Sequence, residues 1–136
     1  MGPIDVIILG FPGNKFSGQI VPAVKELVAS RTITIIDLLF ITKDGDGNVA
    51  VIELKDLDPE LGPAYMEIDL AHVGALDHED ADEIADDIPA NSSALVIAYE
   101  NTWASRFVAA VVEAEGVMID QFRIPVEVVA QALVKN

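Results

Sequence analysis

A chain of 136 residues with 23 acidic against 8 basic side chains, a formal net charge of −15, lacks the Lys/Arg clusters that displace counterions from nucleic acid or hold an anionic membrane. Zero cysteines exclude disulfides, iron–sulfur clusters and thiolate zinc sites. With 51% hydrophobic residues and a mean hydropathy of +0.40, a single domain's core leaves apolar surface over, which a homo-oligomer would cover.

Ile4 to Phe11 (IDVIILGF) is nearly continuous in apolar β-formers, broken only by Asp5, and predicts a central strand buried on both faces. GFPGNKFSG follows as a loop. Ser17 then caps a helix running to about Ser30, with Ile20, Val24, Leu27 and Val28 at helical spacing and Pro22 in the tolerated first turns. Thr32 to Thr42 reads as a long strand whose apolar run Asp37 interrupts. Lys43-Asp44-Gly45-Asp46-Gly47-Asn48 predicts a hairpin turn into a strand at 49–55, where Glu53 and Lys55 suit a sheet edge.

Residues 56–89 change character, holding twelve acidic residues and no Lys or Arg. This acidic linker ends in a short amphipathic helix, Asp77 to Ile88, with Asp77 as N-cap, Ala81, Ile84, Ala85 and Ile88 as the buried stripe, and Pro89 as the stop. Ser93 to Tyr99 is another apolar strand. A helix from about Thr102 to Glu115 follows, with Phe107, Val108, Val111 and Val112 inward and Gly116 closing it. Val117 to Ile124 is the last strand, and 126–135 a terminal helix after Pro125. No apolar run approaches the roughly 18 residues of a membrane span. No basic stretch leads into an apolar core as a signal peptide would, so the expected home is the cytoplasm.

Phe16, Ile20 and Val24 match Trp103, Phe107 and Val111 at a constant offset of 87, each set running from the loop after a strand into the following helix. Two βαβ units, 4–43 and 93–124, within one domain of 136 residues predict an α+β, ferredoxin-like split βαβ fold. The two opening strands are expected side by side and parallel at the sheet centre, each flanked by the strand that closes the other unit. With the strand at 49–55 on one edge, the sheet is five-stranded and mainly antiparallel, with the helices chiefly on one face. A doubly wound α/β sheet is the alternative, and the early hairpin argues against it.

Few residues offer chemistry. Gly10 to Gly18 follows a strand and opens a helix as phosphate loops do, but Asn14 and Phe16 flank Lys15 where a P-loop needs other residues. Any anion bound there would be held by Lys15 and the helix N-terminus. Asp44-Gly45-Asp46-Gly47-Asn48 resembles half a calcium loop, but Val49 and Lys55 stand where such a loop needs Gly and Glu, so turn chemistry explains it. His78 and Asp82, four apart on one helix face, are the best candidates to share a divalent ion, against the plainer reading of an exposed acidic helix. Trp103, equivalent to Phe16 in the repeat, serves core or interface packing, with ligand stacking as the minority reading. No Cys and no G-x-S-x-G serine supplies a nucleophile.

The chain resembles a bacterial family of proteins of unknown function. The matching stretches are Met1-Gly2-Pro3-Ile4-Asp5, Gly10-Phe11-Pro12-Gly13-Asn14, Ile36-Asp37-Leu38, Lys43 to Asn48, Glu53-Leu54, Asp56-Leu57-Asp58-Pro59, Asn91-Ser92-Ser93-Ala94 and Glu100-Asn101-Thr102-Trp103-Ala104. It also looks like a shorter relative of a predicted membrane-protein family whose similar ends flank a Gly-rich apolar centre, here replaced by the acidic 56–89. The resemblance implies a shared fold and a cytoplasmic location and brings no activity, substrate or site residues.

The expected function is therefore a non-enzymatic, self-associating structural, stress-related or regulatory module, without cofactor, nucleic acid or membrane partner. One alternative is a small-molecule sensor binding near Asn14, Lys15, Phe16 and Trp103. The other is a divalent-cation binder through His78 and Asp82.

Overall fold

The computed structural model describes residues 1–13, 20–52, 57 and 62–126. Its elements are β1 (Ile4–Pro12), α1 (Val21–Ala29), β2 (Thr34–Lys43), β3 (Val49–Ile52), α2 (Gly62–Met66), α3 (His78–Ala85), β4 (Ser92–Glu100), a 3-10 turn (Thr102–Ala104) and α4 (Ser105–Glu113). The fold is α+β around a four-stranded sheet in the order β1-β4-β2-β3, and every neighbouring pair is antiparallel.

This sheet corrects four expectations. Among the described residues it has four strands, because Val117 to Ile124 forms none. The expected pairing of β1 with β4 is present, but antiparallel, running from Ile4 opposite Glu100 to Pro12 opposite Ser92. The physical reason lies in the acidic segment. After β3 it returns the chain to the end where β1 and β2 finish, so β4 enters there and can only run back between them. The backbone fixes that entry, with Gly13 N donating to the Asn91 carbonyl at 2.9 Å and Asn91 N donating to the Asp44 carbonyl at 3.3 Å. Among the described strands β1 therefore stands last in the sheet order, whereas its continuous apolar run predicted a central one. The helices are also not gathered on one face.

β4 is the central strand, buried from Ser93 to Ala98. Its alternate residues serve two cores on opposite faces. Leu95 and Ile97 join Ile35, Leu38, Phe40, Val21 of α1 and Tyr65 of α2. Ala94 and Val96 join Leu39, Ile41, Ala81 of α3 and the following Ile88. Pro22 sits in the first turn of α1, where its missing N–H costs no helix bond.

A bulge in β2 between Ile35 and Asp37 shifts the alternation by one residue. Asp37 thereby turns, buried, toward the second core with Leu39 and Ile41. Because β3 pairs only with Phe40–Lys43, no described strand flanks the backbone of β2 before the bulge on that side. The acidic segment supplies one. Ala71 N and His72 N donate to the Ile35 and Ile36 carbonyls, each at 2.9 Å. Gly74 N and Leu76 N donate to Asp37 Oδ2 at 3.1 and 2.9 Å, and Leu38 N donates to Oδ1 at 2.9 Å. What read as a linker is a clip across the open part of the sheet.

α3 matches its prediction closely. Asp77 caps it in a reciprocal capping box with Asp80, at 3.0 and 2.9 Å. Ala81, Ala85 and Ile88 are buried and Ile84 is half-buried. The hairpin turn at 44–48 also stands as predicted, with the Asp44 carboxylate accepting from Asp46 N, Asn48 N and Asn48 Nδ2 at 2.8–3.0 Å. Those donors hold the Asp44 carboxyl below its usual value, the Asn48 N–H first among them. The Ser17 cap, the end of the strand at 49–55 and nearly all of the helix at 126–135 lie outside the described residues.

Candidate functional site at the base of the C-terminal arm

From Asn101 onward the chain leaves the two-faced core as an arm, made of the 3-10 turn, α4 and a return strand-like stretch. Its base is a polar knot. Asn101 N and Nδ2 both donate to the Pro3 carbonyl, at 2.7 and 3.0 Å, and Nδ2 also donates to Asp5 Oδ2 at 2.8 Å. Gly2 N donates to Glu100 Oε1 at 2.7 Å, and a Cβ on Gly2 would run into the Asn101 carbonyl. Trp103 N donates to the Thr32 carbonyl at 3.1 Å, and its indole Nε1 donates to Asn101 Oδ1 at 3.3 Å. The Met1-Gly2-Pro3 and Glu100-Asn101-Thr102-Trp103 stretches, a hundred residues apart in sequence, are thus one structural unit.

Beyond the knot α4 stands apart from both cores. It buries none of its residues, and Phe107 is 69% exposed. This corrects the expectation that Phe107, Val108, Val111 and Val112 face inward: Phe107 and Val112 are exposed, Val108 and Val111 are half-buried, and none joins either core. The reason is spatial: α1 and α2 already pack on one core face and α3 on the other. Glu115 takes the left-handed conformation (φ 60°) and Gly116 N closes the helix on the Val111 carbonyl at 2.8 Å, so Gly116 ends α4 as predicted but from one residue further on. The chain then folds back until Arg123 meets Asp5 at 2.9 Å.

Between α4 and this returning stretch lies a mostly apolar cavity of about 340 Å³, within the range of small-ligand pockets. Trp103, Phe107, Val111 and Met118 line it, with Asp5 and Arg123 at a polar end. Trp103 is the one ligand-binding candidate from the sequence that the structure places here. Asn14, Lys15 and Phe16 lie outside the described residues. Asp5, Asn101 and Arg123 were missed as site residues. Asn101 carried a signal, since it belongs to the same motif as Trp103, whereas the partnership of Asp5 with Arg123 spans 118 positions and had none.

His78 and Asp82 are both exposed on α3, one turn apart, and neither lines the arm cavity. Among the described residues no three His, Cys, Asp or Glu side chains converge as a metal site would require. Among the same residues, no helix is long and apolar enough to cross a membrane.

Sheet, knot and arm together define a class: an acidic α+β domain with an antiparallel four-stranded sheet and an unpacked C-terminal arm. Over its whole length, residues 1–136, the chain matches DUF6325, a family of unknown function, and it belongs to that family. No curated protein and no solved structure matches it.

Proposed function

We propose that the protein is a non-enzymatic, self-associating module with a structural, stress-related or regulatory role. One observation carries the reading: on the apolar stripe of α4, Phe107 and Val112 are exposed and Val108 and Val111 only half-buried, and none of the four joins either core. Of the seventeen large apolar side chains exposed among the described residues, thirteen lie in residues 1–8 or 103–126. Such concentration in two stretches of the chain supports the reading of a contact surface, since singly scattered exposed apolar residues are ordinary. The observation supports association and is silent on which of the three roles the assembly serves.

The arm cavity favours a second reading, a sensor for a small apolar ligand lying against Trp103 and Phe107. One pair of measurements separates the two. Light scattering at micromolar concentration is expected to give a multiple of the single-chain mass. A single-chain mass, with the melting temperature raised by an apolar compound in a ligand screen, would replace self-association by the sensor reading.

A further inference from the structure

Resting on the sensor reading of the arm cavity, we infer that its ligand is a small organic cation, an ammonium group on an aromatic or aliphatic body. The apolar body lies against Trp103 and Phe107, and the ammonium takes the place of the Arg123 guanidinium on Asp5.

The cavity has the size and make-up of a ligand site. Its volume of about 340 Å³ falls within the roughly 300–1,000 Å³ of small-molecule pockets, and its apolar wall ends in a few polar groups. It is built within a single chain, where the arm folds back and Arg123 Nη2 donates to Asp5 Oδ2 at 2.9 Å.

The polar end already holds a positive charge. Asp5 and Arg123 are the two charged side chains of the lining, and the chain's own guanidinium marks where a cation sits. The Arg123 side chain is 72% exposed against 28% for Asp5. An ion pair so open to water contributes little, so the guanidinium gives way to solvent at small cost. The carboxylate keeps its place, because Asn101 Nδ2 also donates to Asp5 Oδ2, at 2.8 Å. Asn101 Oδ1 accepts from the Trp103 indole at 3.3 Å, so one side chain holds the aromatic wall and the carboxylate in fixed relation.

Charge then selects among ligands with the same apolar body. An anion would have to settle beside Asp5 in a chain of net charge −15, whereas a cation is drawn by both. Trp103 and Phe107 are exposed, and aromatic rings attract cations as well as apolar groups. A neutral ligand would gain the apolar wall and forgo the carboxylate.

Trp103 is the only tryptophan of the chain, so indole fluorescence reports on this wall alone. The parent is titrated with three probes that share a phenethyl body: phenethylamine, phenethyl alcohol and phenylpropionate. Phenethylamine is expected to bind about tenfold more tightly than the alcohol, with phenylpropionate weakest. Asp5→Asn is expected to bring the amine down to the affinity of the alcohol. Arg123→Gln removes the competing cation and is expected to tighten the amine about three- to tenfold, with the alcohol unchanged. A damaged fold does not gain affinity, so Arg123→Gln decides the matter even where Asp5→Asn fails to fold. Equal affinity for the three probes, tightest binding of phenylpropionate, or an unchanged amine affinity in Arg123→Gln overturns the cation and leaves the sensor reading standing. No response of Trp103 fluorescence or of the melting temperature to any probe overturns the site and the sensor reading together.

Discussion

Helices α1 and α4 were written with one pattern and have opposite fates. Ile20 and Val24 at the start of α1 correspond to Phe107 and Val111 of α4 at the shared offset of 87. The first pair, half-buried, packs against the core that holds Val21, Phe40 and Tyr65, whereas Phe107 is exposed and Val111, half-buried, joins neither core. Apolar residues at helical spacing therefore specify a stripe and say nothing about what covers it. α1 lies between parallel strands β1 and β2, with β4 inserted, and finds a sheet face waiting. α4 leaves the sheet after its faces are taken.

The sharpest way to break the comparison is to truncate one aromatic on each side. Phe40 is 1% exposed and stacks edge-on against Tyr65, with ring centroids 5.3 Å apart at 82°. Phe40→Ala is expected to cost about 3–5 kcal/mol in urea unfolding, through lost burial and the cavity left behind. Phe107→Ala, measured at a concentration low enough to keep chains apart, should change stability by less than about 0.5 kcal/mol, as exposed positions do. Equal losses for the two would mean that α4 is packed in the single chain, and the contrast would be gone.

Asp37 sharpens the comparison by showing what the core side has that the arm lacks, a segment clipped over it. Its buried carboxylate accepts three backbone N–H bonds, two of them from the acidic segment. Asp37→Ala is expected to cost about 3 kcal/mol, since orphaned buried donors cost about 1–3 kcal/mol each and some regain water. Hydrogen exchange at Gly74 and Leu76 should rise well above that of the Ser93–Ala98 amides. A loss confined to global stability, with no selective exposure of 71–76, would refute the clip.

Local chemistry was legible in the sequence: the Asp77 cap, the Asp44 turn, the four-residue stripe of α3 and the positions of β2 and β4 all stand where propensity and spacing put them. What could not be read was set by non-local geometry. The direction of β4 depends on where the acidic segment delivers the chain, and Asp37, which looked like an interruption of an apolar run, gains its role from a bulge one residue earlier and a loop 37–39 residues later. α2 escaped notice because five residues beginning Gly62-Pro63 show no periodicity. In the arm, Val117 to Ile124 was read correctly as strand-like composition and wrongly as a strand in this chain, because composition does not supply a neighbour.

The smallest expected effect is a pH dependence confined to the core side. Donation from the Asp80 N–H holds the Asp77 carboxyl below its ordinary 3.8, and the Lys25 ammonium, 2.8 Å away, holds Glu67 below 4.5. A carboxyl depressed on folding contributes stability that is full above its unfolded value and is lost as pH falls through its folded one. These contributions therefore begin to fade below about pH 4.5 for Glu67 and 3.8 for Asp77. Relief of repulsion among the 23 acidic residues works in the opposite direction over the same range. Asp77→Asn separates the two effects, because asparagine caps a helix as well as aspartate but does not titrate there. Its melting temperature should match the parent's at pH 7 and fall less steeply than the parent's between pH 5 and 3, as read by circular dichroism. Parallel curves would show that the α3 cap carries no acid sensitivity, and the low-pH response would then belong to the chain's overall charge.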